Sequence, residues 1–352
     1  SNLPNILNLR FPVFCEWKRC SITTVLIIKP AISLSLHYYR WKNSTESNEM
    51  RVLIGGGTGF IGQHLCHLLQ ENGYRVTVIS RTIRPDGITW NDIHRHGLPK
   101  DCTSVVNVAG ENILNVTKRW NDSFKEQVKS SRVETNKLLA KAISEAENPP
   151  ESFVTISGVA YYKPSETEEY TEESPGGGYD WLSTLTTEWE AAATLPDSMN
   201  VRRVTVRSGV VLGKDGGMIQ QIFFPFFLGF GGRMGTGKQW FPWIHIDDIA
   251  GILAYAVKNK SVYGILNGVA PGAATNAQFA SAFAGAMWRP AIFPMPSLVF
   301  NTVFGNERGK IILEGQKVIP KRTLECGYKY KYPDLQSACH DLSSIIGWFG
   351  LK

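Results

Sequence analysis

Met50-Arg-Val-Leu-Ile-Gly-Gly-Gly-Thr-Gly-Phe-Ile-Gly62 joins a short apolar strand to a glycine-spaced turn and then to the start of a helix. Gly56, Gly59 and Gly62 stand at the spacing G-x-x-G-x-x-G. In a dinucleotide-binding turn the first glycine permits a tight bend, the second lets backbone approach a pyrophosphate, and the third lets helix pack against strand. The stretch therefore predicts a phosphate-binding turn. The alternative is a glycine turn used only for packing.

The residues after the turn predict an amphipathic helix. Ile61, Leu65 and Leu69 share one face, and Gly73 marks the end of the helix. The free amides and the partial positive charge at the N-terminus of such a helix attract phosphate. We therefore expect the cofactor to contact the first helical residues, Phe60 and Ile61, together with the three glycines.

The end of the second predicted strand, residues 75–80, indicates which nucleotide binds. An NAD-preferring site places Asp or Glu there to accept hydrogen bonds from the ribose 2′-hydroxyl, whereas this chain has Ser80-Arg81. A guanidinium holds a 2′-phosphate by charge-assisted, often bidentate hydrogen bonds, and a serine hydroxyl can add one more. NADP(H) is therefore the predicted cofactor, with Ser80 and Arg81 at its 2′-phosphate. Arg84 is an alternative source of the charge.

The composition is that of a globular, enzyme-sized protein. The 352 residues are 43% hydrophobic and 19% charged, and the formal net charge is +6. Residues 1–49 hold six Lys or Arg against three Glu, and the other basic residues are dispersed, which argues against nucleic-acid binding. The six cysteines form no C-x-x-C pair, so we expect reduced thiols and no metal site.

The first 49 residues have two interpretations. Their hydrophobic part, residues 22–36, is interrupted by Lys29 and Pro30, so we expect no membrane span. Their basic, acid-poor composition is compatible with a mitochondrial presequence. Alternatively, because Met50 stands directly before the first strand, they are an extension read from upstream sequence. The predicted location is intracellular, either cytoplasmic or mitochondrial.

Strands alternate with helices along the body of the chain, which predicts an α/β fold of the Rossmann type, a doubly wound parallel sheet with a smaller C-terminal lobe. We assign residues 1–49 to an N-terminal extension, residues 50–258 to an NADP-binding domain with some later segments returning to the sheet, and residues 259–352 to a C-terminal substrate lobe. Further strands are predicted at 88–90, 104–108, 153–156 and 204–206, and long helices at 121–145 and 182–193.

Several blocks of sequence share one family resemblance. They are Asn107-Val-Ala-Gly110, Ser157-Gly-Val-Ala-Tyr-Tyr162, Arg207-Ser-Gly-Val-Val-Leu-Gly213 and Leu313-Glu-Gly-Gln-Lys-Val-Ile-Pro320. With the glycine turn, they resemble the extended short-chain dehydrogenases/reductases of the epimerase type. More narrowly, they resemble the bacterial YfcH-like epimerase-family proteins and their animal homologues, whose substrate is generally unassigned. The resemblance covers residues 50–332.

The resemblance implies where the nicotinamide end of the cofactor lies. It places this end near the Asn107 block and the start of the 207–213 loop, with backbone at Val210 as a contact. It also implies that the helix after Trp120 flanks the cofactor. Relatives carry a basic residue near Lys125-Glu126, and which of the two faces inward is open. The implied cofactor contacts are therefore Asn107, Val108, Ala109, Gly110, Glu126, Ser131 and Val210.

The catalytic residues of the family are incomplete in this chain. The resemblance implies a serine, a tyrosine acid and a lysine four residues after it that lowers the phenol pKa. Counting back from Glu190, the tyrosine and lysine positions fall on Leu182 and Thr186, which cannot transfer a proton in those roles. Ser157 stands at the serine position. Tyr161 or Tyr162 is a candidate substitute acid; the alternative is a tyrosine packed beneath the cofactor site.

Two further segments carry expectations, the first from the resemblance and the second from its own residues. The block around His245 and Asp248 is expected to tie the C-terminal lobe to the sheet rather than to catalyse. Residues 231–240 are rich in glycine and include Arg233, Lys238, Gln239 and Trp240, so this loop is a candidate for gripping an anionic or sugar-like substrate.

The residues together predict an NADP(H)-dependent oxidoreductase or epimerase-like enzyme that acts on an unknown small molecule. Its predicted catalytic residues are Ser157 and Tyr161. The missing tyrosine and lysine favour an alternative, a cofactor-binding protein without catalysis that serves as a sensor or assembly partner. The retained cofactor turn and the capping loop favour an enzyme.

Overall fold

A computed structural model describes residues 50–85, 87–115, 117–298, 302 and 305–344. The two interpretations of residues 1–49 fall outside this described part of the chain.

Seven parallel strands form the central sheet. Their spatial order is β10-β7-β5-β4-β1-β2-β3. Taken from β3, the order starts 3-2-1-4-5, which is that of a doubly wound nucleotide-binding sheet. Two parallel pairs lie outside it, β6 with β11 and β8 with β9. The strands are β1 Arg51–Gly55, β2 Arg75–Ser80, β3 Gly87–Thr89, β4 Cys102–Asn107, β5 Ser152–Gly158, β6 Glu169–Tyr170, β7 Arg202–Ser208, β8 Val210–Gly213, β9 Trp243–His245, β10 Gly264–Gly268 and β11 Lys317–Val318.

Helices cover both faces of the sheet, as successive strand residues point to opposite sides. Val52 and Ile54 belong to the core cluster that includes α1 and α6, whereas Leu53 and Phe153 belong to the cluster that includes α2 and the second half of α3. The predicted Rossmann-type fold is therefore confirmed. The helices are α1 Phe60–Glu71, α2 Trp90–His96, α3 Asp122–Ser144, α4 Trp181–Ala191, α5 Gly217–Phe227, α6 Ile246–Lys258, α7 Asn276–Ala286, α8 Asn306–Leu313, α9 Lys321–Glu325 and α10 Leu335–Ser343.

The third strand ends one residue earlier than the sequence predicts. Thr89 accepts a hydrogen bond from the backbone of Asp92, whose carboxylate in turn accepts from the Thr89 backbone. This capping box begins a helix at Trp90, the last residue of the predicted strand. The last strand of the sheet, β10, comes from beyond residue 258 and pairs with β7.

A second core cluster lies outside the sheet. Leu212, Phe223, Phe279 and Leu342 belong to it, so α5, α7 and α10 pack together around β8. Within the described ranges, no helix has the length and apolar character to cross a membrane.

Candidate cofactor and active site

The three glycines of the turn between β1 and α1 have different surroundings. Gly56 has a φ of +77°, and a Cβ there would lie 2.6 Å from the Cα atom of Ala109. At Gly62 a Cβ would overlap the carbonyl oxygen of Gly56. At Gly59 the nearest neighbour of a Cβ would be that same oxygen, at 3.3 Å. Gly56 and Gly62 are therefore required by the fold, whereas Gly59 borders open space.

The N-terminus of α1 offers backbone donors beside Gly59. Gly59 caps the helix in an extended conformation without a side-chain hydrogen bond, and the first turn holds no acidic residue. The first N–H groups of a helix lack intrahelical partners, so the amides of Phe60 and Ile61 are available to an anion. The Phe60 ring packs against the turn that contains Gly213 and Gly216. The site lies where β1 neighbours β4, the topological switch point of the sheet.

Ser80 and Arg81 follow at the end of β2. The Ser80 side chain is buried, and its hydroxyl donates to the carbonyl of Thr82. The hydroxyl proton therefore holds the turn, and only its oxygen remains to accept a bond. Arg81 is exposed, and among the described residues it makes no hydrogen bond or ion pair. Arg84, the alternative, is also exposed.

Asn107 is an anchor at the end of β4. Its side chain is buried, donates to Asn136 Oδ1 at 2.6 Å, and accepts from the backbone N–H of Ala109 at 3.1 Å. The Val108 N–H donates to the carbonyl of Gly55 at 2.9 Å. These bonds fix the Asn107 block against β1, so the Asn107 amide positions the crevice wall rather than offering free donors.

A buried arginine, Arg132, packs against Gly110. The Arg132 guanidinium donates to the carbonyls of Val128 and Glu111 and lies 5.0 Å from the Trp189 ring centroid. Burial lowers its pKa to about 10. Ser131 accepts from the Glu111 N–H at 2.9 Å. Both residues therefore shape the loop after β4 by holding its backbone.

The structure turns Lys125 inward and Glu126 outward, which corrects the choice of Glu126 as a cofactor contact. Lys125 is half-buried, and its Nζ lies 2.6 Å from a Glu307 carboxylate oxygen and 5.6 Å from the Trp120 ring centroid. Glu126 is exposed to solvent. Because residues one apart on a helix point in different directions, only one of the two can face the site.

Ser157 belongs to a buried polar network. Its hydroxyl donates to Glu190 at 2.7 Å, and Arg207 holds the same carboxylate through two bonds of 2.8 Å. Ser157 is 3% exposed. In this arrangement the one proton of Ser157 is committed to Glu190, which gives the serine a structural contact, and its catalytic role stays a prediction.

The two neighbouring tyrosines differ in their environments. Tyr162 is buried, accepts from Arg207 and donates to Asn267, both at 2.9 Å, and burial raises its phenol pKa. Tyr161 is half-buried, and the Arg207 guanidinium lies 3.5 Å from its ring centroid. Within the described residues the Tyr161 hydroxyl makes no hydrogen bond. Of the two phenols left open by the sequence, only Tyr161 is free to act on a ligand.

The positions of the missing tyrosine and lysine lie on α4. Thr186 is buried, and its hydroxyl donates to the carbonyl of Leu182 one turn earlier at 2.8 Å. This bond satisfies Thr186 within the helix. The pair therefore supplies no proton donor.

Val210 and the His245 block contribute to packing. The Val210 N–H donates to the carbonyl of Pro242 at 2.7 Å, so this N–H is not available to a cofactor. Asp248 is fully buried and accepts from the backbone N–H groups of Lys331 and Tyr332 at 2.7 and 2.9 Å. These bonds join the segment at Lys331 and Tyr332 to α6, whereas the expected tie was to the sheet.

Two of the four candidate side chains hold the loop of residues 231–240 in place. Gln239 is buried and donates to the carbonyls of Met234 and Ile312, while the Trp240 indole donates to the carbonyl of Glu166. Arg233 and Lys238 are exposed. Gln239 and Trp240 therefore shape the loop. Binding of a substrate by Arg233 and Lys238 stays a prediction.

Two charged residues of α8 that contact the segment before α3 and its first turn were not predicted from the sequence. Glu307 accepts from Lys125 and from the Trp120 indole at 2.6 Å, and Arg308 donates to the carbonyls of Asn115 and Lys118. Both charges follow residues 290–306, which contain no charged side chain. A pair of charged residues directly after a long uncharged segment was the one sequence feature that could have pointed to them. Among the described residues, no cluster of His, Cys, Asp and Glu is arranged to hold a metal ion.

The strand order, the glycine turn and its place at the switch point define a protein of the Rossmann class. The model of the NAD dependent epimerase/dehydratase family matches residues 52–267, and a domain of unknown function, DUF1731, matches residues 295–342. The chain belongs to the NAD dependent epimerase/dehydratase family, as one of its extended short-chain dehydrogenases/reductases.

Three relatives place the chain more narrowly. It is 55% identical to the bovine epimerase family protein SDR39U1 over 294 residues, 83% of this chain and 99% of the relative. It is 31% identical to epimerase family protein YfhF of Bacillus subtilis, over 83% of this chain and 98% of the relative. A crystal structure of human SDR39U1 with NADPH aligns with a TM-score of 0.82 at 54% identity, over 84% of this chain and 99% of that one. The expected subgroup is confirmed.

Proposed function

We propose that the chain binds NADP(H) in the crevice between β1 and β4 and uses it to oxidise or reduce a small molecule. The observation that carries the proposal is the pairing of open space at Gly59 with the uncapped N-terminus of α1. A dinucleotide pyrophosphate needs both close backbone approach and free amide donors. Phe60, Ile61 and Gly62 supply those amides.

Arg81 gives the preference for NADPH over NADH. Its exposed guanidinium follows β2, where a 2′-phosphate lies in this fold, and no described residue competes for it. Human SDR39U1, similar along nearly its whole length, is described as bound to NADPH. Nicotinamide contacts come from the loop after β4, whose shape Asn107, Ser131 and Arg132 maintain.

NADP(H) held in the crevice would supply or accept the hydride. The part of the protein is to place a carbonyl or alcohol group beside the Tyr161 hydroxyl, which exchanges the proton with the substrate oxygen. Arg207 holds the Tyr161 ring in place, and Glu190 holds Arg207. No lysine four residues after this tyrosine assists it, so we expect slow turnover of ordinary carbonyl compounds.

Cofactor titration tests the assignment of Arg81. Removing the charge-assisted bonds to the 2′-phosphate costs about 1.5 to 3 kcal/mol, or roughly tenfold to a hundredfold in NADPH affinity. We expect Arg81→Ala to lose NADPH affinity by this factor while NADH affinity stays the same. Fluorescence titration of both cofactors measures the ratio.

Arg84→Ala is the matched control, and its ratio of NADPH affinity to NADH affinity should equal that of the parent. An unchanged affinity ratio in Arg81→Ala together with a reduced ratio in Arg84→Ala would transfer the role to Arg84.

Turnover is tested separately by following NADPH oxidation against a panel of small carbonyl compounds and nucleotide sugars. NADPH binding without turnover across the panel would favour the second candidate, a non-catalytic cofactor-binding protein, which the residues at Leu182 and Thr186 and the engaged Ser157 hydroxyl support.

A further inference from the structure

The end of α5, the turn that follows it and the segment after α7 expose a group of large apolar side chains. We call it the apolar tip and define it by Phe224, Leu228, Phe230, Trp288, Ile292 and Phe293. The exposed fraction reaches 92% at Trp288, 68% at Ile292 and 64% at Phe230. Single exposed apolar residues are ordinary, but a contiguous patch marks an interaction surface.

Contacts between two segments make the tip continuous. The Phe293 N–H donates to the carbonyl of Gly231, and the rings of Phe230 and Phe293 lie 5.8 Å apart. Arg289, next to Trp288, donates through Nε to the carbonyl of Phe227 at the end of α5. The end of α5 and the segment after α7 therefore present one surface.

Trp288 holds an unfavourable backbone conformation at this surface. Its φ is +57°, and among the described residues it is the one non-glycine residue with a positive φ. The position follows the end of α7, where glycine is the usual residue because it lacks a Cβ. A tryptophan there is strained and gains no burial within the chain. Strain of this kind is associated with functional positions.

The two segments that form the tip carry charges of one sign. Residues 217–240 and 276–298, which form it, contain Arg233, Lys238 and Arg289 and neither Asp nor Glu. The three cations are exposed or partly exposed at its rim. A two-fold contact between copies would bring these like charges together. Exposed Trp, Phe and Leu bordered by Arg and Lys instead suit the interface of an anionic membrane.

We propose that the apolar tip docks the protein peripherally on an anionic lipid surface, with Trp288, Leu228 and Phe230 entering the headgroup region. Arg233 and Arg289 then face lipid phosphates and carboxylates. The docking needs no spanning helix.

Vesicle sedimentation of the full chain tests the proposal. We expect binding to vesicles of equal parts phosphatidylcholine and phosphatidylserine, weaker binding at high salt, and little binding to phosphatidylcholine alone. Trp288→Gly combined with Leu228→Ser should reduce the partition coefficient at least about tenfold. Arg233→Gln should reduce it about fivefold. Glycine accepts a positive φ, so the double variant should fold as well as the parent.

Matched controls separate docking from general surface effects. Tyr263→Ser removes an apolar side chain of 72% exposure outside the tip, and Lys258→Gln removes an exposed cation elsewhere. Both should bind vesicles like the parent, and circular dichroism should show every variant folded. Failure to bind the mixed vesicles, or equal binding by the double variant, overturns the proposal. An oligomer that the same substitutions dissociate, without vesicle binding, would make a second copy the occupant.

Discussion

The glycine turn and the Ser157 network lie at the same carboxyl edge of one sheet, yet their polar groups are used in opposite ways. At the turn, the amides that begin α1 have no acidic or capping side chain before them, and Gly59 borders open space. In the network, Ser157, Glu190 and Arg207 satisfy one another in the interior. The comparison shows that a polar residue at this edge indicates a ligand site only when the protein leaves it without a partner.

The same distinction applies within the pair Tyr161 and Tyr162. Tyr162 is joined to Arg207 and Asn267 and forms part of the interior. Tyr161 shares the arginine through its ring face, and within the described part of the chain its hydroxyl makes no hydrogen bond. Resemblance to the family could not separate them, because both follow Ser157 closely in sequence.

The largest expected effect comes from breaking the network. Glu190→Ala leaves Arg207, whose side chain is 5% exposed, without its carboxylate partner. Removing one partner of a buried ion pair costs about 3 to 5 kcal/mol of unfolding free energy. Chemical denaturation measures the loss. Glu188→Ala, which breaks a pair with Lys129 that is about two-fifths exposed, is the control on the same helix, and it should cost less than about 1 kcal/mol. Equal losses would contradict the structural role of the network.

An intermediate effect is expected at the turn, and it should appear in binding rather than in folding. The φ of −80° at Gly59 suits a valine, whose Cβ would lie 3.3 Å from the carbonyl oxygen of Gly56 and whose methyl groups would fill the space where the pyrophosphate approaches. We expect Gly59→Val to stay folded and to lose NADPH affinity by more than about a hundredfold, or about 2.7 kcal/mol. Gly62→Val should instead lower the melting temperature, since its side chain would collide with Gly56. Undiminished NADPH binding by folded Gly59→Val would make the turn a packing feature only.

The smallest of these effects concerns proton transfer. Once a substrate is known, Tyr161→Phe should lower kcat at least about tenfold, a barrier increase of about 1.4 kcal/mol, with NADPH affinity unchanged. Tyr162→Phe removes bonds to Arg207 and Asn267, so it should lower stability by about 1 to 3 kcal/mol. Steady-state kinetics under conditions where chemistry limits the rate makes the test. An unaltered kcat in Tyr161→Phe would remove this phenol from the mechanism.

Local sequence patterns were enough to predict the class of fold and the place of the glycine turn. Strand and helix periods and the spacing of Gly56, Gly59 and Gly62 are local properties, because each depends on residues a few positions apart. The position of Ser80-Arg81 at the end of β2 also follows from local sequence. So does the presence of Leu182 and Thr186 where the family has its tyrosine and lysine.

Which polar groups remain available to a ligand depends on contacts between distant parts of the chain. Ser157 and Glu190 are 33 positions apart, and Trp120 and Glu307 are 187 apart. Whether a hydroxyl or carboxylate is satisfied depends on these distant partners, which no local pattern encodes. For this reason the sequence proposed Ser157 and Glu126 as site residues, whereas packing buried one against Glu190 and left the other in solvent.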